Sequence, residues 1–184
     1  MSLTVRRDRD HRRQPWANGE GVTSEIATDG SEPFDWRVSI ADVAHSSDFS
    51  AFPGIDRIIT LIDGETMELT LPEGTHVLRP DEPFAFDGGV PVRCAVERPT
   101  RDLNVMTRRG RASATLQVRR LHSRDAALPL PAAAPLVVVV LSGCVRVCAS
   151  SGATLRAGDV ALTDEPVLLA GDGRVALAQL TPAA

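Results

Sequence analysis

Lysine and tyrosine are absent from the 184 residues, and aromatic side chains make up only 4%. All 20 basic residues are therefore arginine, a usage that fits a GC-rich genome. Without lysine there is no amine for Schiff-base chemistry. Cysteine is scarce: only Cys94, Cys144 and Cys148 occur, and an odd count fits a reducing cytoplasm. Cys144 and Cys148 have the spacing of thiolate ligands, but the run CVRVCA reads as a strand. That would set them ~13 Å apart on one sheet face, too far for a disulfide or a shared metal. Both are expected to be buried structural residues. No apolar run approaches the ~20 residues of a membrane helix, and the longest, LVVVVL at 136–141, has strand length. The segment RRDRDHRR at 6–13 stands where a secretory signal would need apolar residues, so a cytoplasmic location is expected. A net charge of −4 and a pI near 5.6 argue against a general nucleic-acid or anionic-membrane binder.

What is present is strand signal. RIITLI (57–62) and ETMELTL (65–71) flank Asp63-Gly64, a sequence that predicts a tight hairpin. Further strands are predicted in VTSEIA (22–27), DWRVSIA (35–41), THVLR, FAF, VRCAVE, DLNVM (102–106) and ATLQVRRL (114–121). Helix signals are poor; ADVAHSSDFSAF (41–52) and SRDAALP could each hold one turn. Glycine and proline interrupt the chain every 8–12 residues, the rhythm of an all-β sandwich or barrel. The second half echoes the first: β-run, glycine turn (Gly64 or Gly143), β-run, DEP (81–83 or 164–166), a DG turn (87–88 or 172–173) and a last strand. LPLPAAAP (128–135) reads as the linker. The expectation is two stacked antiparallel β-sandwich barrels with little helix, 1–127 and a smaller 128–184.

Parity within the strands points to a site. Thr23 and Glu25, Arg37 and Ser39, and Asp102, Asn104 and Met106 fall on faces opposite the apolar positions of their strands. Those faces are either a wet exterior or a polar-lined cavity. In a cavity, Arg37 could take a carboxylate in a forked pair, with Glu25 or Asp102 as its resting partner. Phe49 and Phe52 read as core, and Asp56 with Arg57 as a solvated pair. Trp16 precedes Asn18-Gly19-Glu20-Gly21, whose glycines allow close backbone approach or positive φ.

The phrasing of strand, glycine turn, strand resembles a cupin. His11, His45, His76 and His122 are scattered and unpaired, so no catalytic metal is expected; His76 in LPEGTH reads as a strand-edge surface residue. More specifically, PWANGEGVTSEI, FDWRVSIADV, DFSAFPGIDRIITLIDG, FAFDGG and RDLNVMTRRG resemble, in order and spacing, the HutD/Ves family over about residues 14–110. Two positions depart from its pattern: Glu20 interrupts an NGGG-type turn, and Glu97-Arg98-Pro99 stands where glycine is common. The resemblance implies a bicupin without a metal triad or other cofactor. It implies a role beside histidine breakdown as a regulator limiting flux, or a stress-associated role in the Ves branch. The implied ligand class is a small pathway acid such as formylglutamate or urocanate. Carried-over positions are Trp16, Asn18, Gly19, Gly21, Thr23, Glu25, Asp35, Trp36, Arg37, Asp102, Asn104 and Met106. The expected ligand-binding set is Trp16 (a lid or wall), Asn18, Gly19, Thr23, Glu25, Arg37, Asp102, Asn104 and Met106. Two other readings stand beside a non-catalytic binder. One is a metal-independent enzyme using Glu25 or Asp102 as acid–base with Arg37 holding the substrate. The other is an interaction module, homodimerisation being compatible with such barrels.

Overall fold

The alternation read from the sequence carries into the three-dimensional arrangement, a computed structural model that describes residues 3–131 and 134–183. The strands are β1 (Thr4–Arg6), β2 (Arg12–Pro15), β3 (Gly21–Thr28), β4 (Trp36–Val43), β5 (Ser47–Phe49), β6 (Ile55–Asp63), β7 (Met67–Leu71), β8 (Gly74–Leu78) and β9 (Phe84–Asp87). They continue as β10 (Val92–Ala95), β11 (Thr100–Arg108), β12 (Ala112–Leu121), β13 (Leu128–Leu130), β14 (Leu136–Cys148), β15 (Ala153–Arg156), β16 (Val160–Thr163) and β17 (Val167–Pro182). One 3-10 turn, Asp8–Asp10, is the only helical element among the described residues. The helical turns expected in 41–52 and after Leu121 are absent: β4 and β5 occupy half of the first. No described helix is long and apolar enough to cross a membrane.

The described chain divides into two compact units: Arg12–Ala114, and Thr115–Pro182 together with residues 3–11. The join expected at 127/128 thus lies within the second unit. Leu128–Leu130 of the expected linker form β13, paired antiparallel with β17, while Ala132 and Ala133 lie outside the described residues.

The 12–114 unit is an antiparallel two-sheet sandwich. A six-stranded sheet runs β2-β3-β4-β11-β6-β9, and a four-stranded sheet runs β5-β10-β7-β8. β6 and β7 therefore belong to different sheets. Asp63-Gly64 is a corner and not a hairpin: Gly64 has φ +111, and the Gly64 amide donates to the Asp63 carboxylate at 3.1 Å. The interior between the sheets changes character along its length. At one end Val43, Ile59 and Leu61 pack with Met67, Leu69, Leu78 and Cys94 in one apolar core. Toward the other end the same parity positions become Ser39, Arg37, Asn104 and Arg57. The opposite parity face, with Trp36, Val38, Ile40, Leu103 and Val105, is buried as well.

In the other unit a seven-stranded sheet contains β1-β16-β14-β17-β12, with β13 on β17 and β15 on β14. Its core is valine-rich, around Val138, Val140, Val145 and Val147. Gly143 does not end a strand. β14 runs through it with a register shift between Val140 and Ser142. Gly143 faces Gly173, and a Cβ there would lie 2.2 Å from the Asp172 carbonyl oxygen. Asp172-Gly173 is accordingly part of continuous β17, not a turn. Cys144 is exposed and Cys148 half-buried, because β14 is one-sided beyond its bend; only Cys94 is fully buried.

Candidate functional site

A cavity of about 470 Å³ opens at the polar end of the 12–114 sandwich. Its floor comes from three neighbouring strands in tight register. Arg57 sits opposite Met106 and Met106 opposite Arg37; Asn104 sits opposite Ser39; Asp102 lies between Ala41 and Leu61. Thr23 and Gln14, paired across β3 and β2, continue the wall. Phe49 and Phe52, with Asp48 and Ser50, close another side, and Trp16 and Asn18 stand at the rim.

Two guanidinium groups dominate the electrostatics. Arg57 is only 4% exposed, and its Nη2 donates to Asn104 Oδ1 at 2.6 Å. Its Cζ lies 5.3, 5.9 and 5.0 Å from the ring centres of Phe49, Phe52 and Phe86. Arg37 lies 5.1 and 5.6 Å from Phe34 and Phe52, and its Nη2 points at Met106 Sδ at 3.3 Å. The rings supply cation–π contacts that leave guanidinium N–H groups free for an acceptor, the Nε of each among them. Among the described residues, neither arginine has a carboxylate within ion-pair distance, and neither Nε has a hydrogen-bond partner. Burial lowers the pKa of both, that of Arg57 to about 10, with the Arg57 value also raised by Asp102 and lowered by Arg37.

Asp102 is the deepest polar group. It is fully buried beside Ala41 and Leu61, and Asn104 Nδ2 donates to its Oδ1. Its Oδ2 has no hydrogen-bond partner among the described residues. Burial pushes its carboxyl up to about 7, against the opposing pull of Arg57 and Asn104 and with some help from Asp42. A carboxylate, an amide and a guanidinium thus form one chain, Asp102–Asn104–Arg57, along the cavity floor.

The rim is built by the glycine turn. Trp16 Nε1 donates to Thr23 Oγ1 at 2.7 Å, and its ring meets Phe49 edge-on at 6.2 Å. Gly21 lets the indole lie flat on the backbone: a Cβ there would sit 3.0 Å from Trp16 ring carbons and 2.7 Å from the Asp42 carbonyl oxygen. We expect Gly21→Ala to lower stability by about 1–3 kcal/mol, to shift Trp16 emission and to weaken ligand binding several-fold. Thermal melts and a fluorescence titration check this; unchanged emission with unchanged affinity would remove Trp16 from the site.

Known proteins carry the same chain pattern. The HutD family model matches residues 8–178. The chain belongs to the HutD family. It is 38% identical over 150 residues to an uncharacterized 21.2 kDa protein in the hutC 3' region of Pseudomonas putida, spanning 77% of this chain and 79% of that protein. It is 40% identical over 117 residues to protein Ves of Citrobacter koseri, spanning 59% and 61%. HutD from Pseudomonas fluorescens SBW25, solved in a formate condition, superposes over 100% of both chains with a TM-score of 0.87 and 33% identity. A cupin 2 conserved barrel domain protein from Leptotrichia buccalis superposes over 97% of this chain and 96% of its own, with a TM-score of 0.63 and 9% identity. That likeness concerns the fold alone, and the fold is all-β and cupin-like.

In this HutD-family chain the cavity gathers Trp16, Asn18, Thr23, Arg37, Asp102, Asn104 and Met106 from the expected set. Gly19 and Glu25 lie outside the lining. Gly19 serves the turn, at φ +75, and Asn18 Oδ1 accepts from the Glu20 amide at 3.1 Å. Glu25 is half-buried, just ahead of a register shift between Glu25 and Ala27, and acts on Arg37 only as a distant charge. The expected resting pair between Arg37 and Glu25 or Asp102 does not form. Arg57 was the residue sequence reasoning missed. Asp56 instead pairs with Arg109 at 2.5 Å, because parity sends Arg57 inward with Ile59 and Leu61 while Asp56 faces solvent. Phe49 and Phe52 are half-buried cavity walls; only Phe49 also packs on the core. His76, half-buried on edge strand β8, stacks on Phe84 at 3.8 Å.

Proposed function

We propose that this HutD-family protein binds a small carboxylate metabolite of the formylglutamate or urocanate type in the 12–114 cavity, and through that binding limits histidine utilisation without catalysing a reaction. The observation that carries the reading is the pair of ring-flanked guanidiniums, Arg57 buried and Arg37 half-buried, neither with a carboxylate within ion-pair distance among the described residues. A buried cation without a counter-ion is costly unless a ligand supplies one. A cavity of about 470 Å³ is in the range of small-molecule sites and exceeds the needs of a five- or six-carbon acid. Relatives in a hutC 3' region and in HutD itself support the pathway. Calorimetric titration with formylglutamate and urocanate is the test, with Trp16 emission as a second readout. Saturable heat and quenching are expected; no heat and no thermal shift at millimolar acid would overturn the reading.

One observation favours a second reading, a metal-independent enzyme. Asp102 is a deeply buried carboxyl with its pKa pushed up to about 7, the range of a general acid–base near neutral pH. Glu25 lies outside the cavity, so Asp102 alone would take that role, with Arg37 and Arg57 holding the substrate's carboxylate. Proton NMR of either acid incubated with the protein decides: new product signals favour the enzyme, and unchanged spectra beside measurable binding favour the binder.

A further inference from the structure

We propose that the cavity takes up its anion together with one proton, held on Asp102 Oδ2 and donated from there to the ligand's carboxylate. The inference rests on the carboxylate-binding reading above and adds the ionic bookkeeping of the site. The geometry leaves few alternatives. Asp102 lines the cavity, and Asn104 occupies its Oδ1. Its Oδ2 is buried with no partner among the described residues. Asn104 is held at both ends, its carbonyl oxygen accepting from Arg57 and its amide donating to Asp102. A ligand carboxylate drawn in by Arg37 and Arg57 therefore meets a second carboxylate across a cavity flanked by apolar side chains. Two such like charges in poor contact with water cannot both stay ionised cheaply. A proton from solvent on Oδ2 resolves this: the O–H donates to the incoming carboxylate, and the proton offsets the charge of the one carboxylate it meets. This also gives the orphaned oxygen the partner it lacks.

The groups that face Asp102 from every packed element agree with this. β6 brings the cation Arg57, itself acted on by Arg37 of β4, and β4 brings the carboxylate Asp42, which disfavours ionisation. β10 brings the Cys94 thiol, itself held neutral by burial. No histidine lines the cavity among the described residues.

The test is calorimetry of full-length protein with N-formyl-L-glutamate, whose own carboxylates stay ionised from pH 6 to 8. Titrations run in Hepes and in Tris, whose ionisation enthalpies differ. At pH 7.5–8 the wild type is expected to take up between half and one proton per ligand, and its affinity to fall toward tenfold per pH unit above neutrality. Asp102→Asn, checked by its melt, is expected to bind with no proton uptake and with affinity flat from pH 6 to 8. Wild-type binding without proton uptake overturns the inference and leaves the binding reading standing. Equal uptake by wild type and variant also overturns it. Absence of binding at any pH overturns both.

Discussion

Replacing Arg57 with methionine is expected to weaken carboxylate binding roughly 10- to 150-fold while leaving the fold as stable as before. The size follows from losing one charge-assisted hydrogen bond of about 1.5–3 kcal/mol. The retained stability is the unusual half of the result. Arg57 is 4% exposed, and its depressed pKa marks a cation held against its own desolvation. A flexible thioether of similar length fills the space among Phe49, Phe52 and Phe86 without that cost. At pH 6, where Asp102 carries a proton, the variant should melt within about 1 kcal/mol of wild type or above it. Urea melts and titration of the same sample check both halves. Lost stability with intact affinity would make Arg57 a structural group.

Asp102→Asn is expected to stabilise the protein increasingly as pH rises. The native carboxyl titrates near 7 and the unfolded one near 3.8, so the folded chain binds this proton more tightly. The stability that this proton contributes is complete below about pH 4 and is lost as pH climbs through about 7. The shift of about 3 units corresponds to as much as about 4 kcal/mol. Asparagine keeps the neutral form at every pH. The stability gap between variant and wild type should therefore widen by several kcal/mol from pH 4 to pH 8. Comparing the two chains at each pH cancels the carboxylates whose pKa values are lowered, such as Asp159 beside Arg7. A gap that stays flat, or widens toward acid, contradicts the burial of a titrating carboxyl.

Strand positions were legible because alternation survives folding: Met67, Leu69 and Leu71 are all buried on one face. Partner choice was not legible. Asp63-Gly64 has hairpin chemistry, yet β11 and β9 already occupy both edges of β6, and β7 must leave for the other sheet. Gly143 and Gly173 looked like turns because glycine permits turns; facing each other, they permit a bend in a continuous pair instead.

The site was legible where a strand had one polar face. β4 and β11 did, and parity brought Arg37, Asp102, Asn104 and Met106 together. β6 hid its contribution, since IITLI is apolar on both faces and Arg57 stands at its start beside Asp56. The available signal was parity itself: Arg57 shares its face with Ile59 and Leu61, so a strand buried on that face had to bury the cation too. Glu25 satisfied the same parity, but no pattern in the residues announces the irregularity that follows it.

The central claim is that Arg37 and Arg57 together capture a carboxylate inside the 12–114 sandwich. Crystals grown with N-formyl-L-glutamate test it most directly. The account predicts a carboxylate oxygen within about 3 Å of the Arg57 guanidinium, with Trp16 over the ligand and Asp102 beneath it. A ligand seated elsewhere, or one in the cavity with its acid turned to solvent and both arginines untouched, would contradict it.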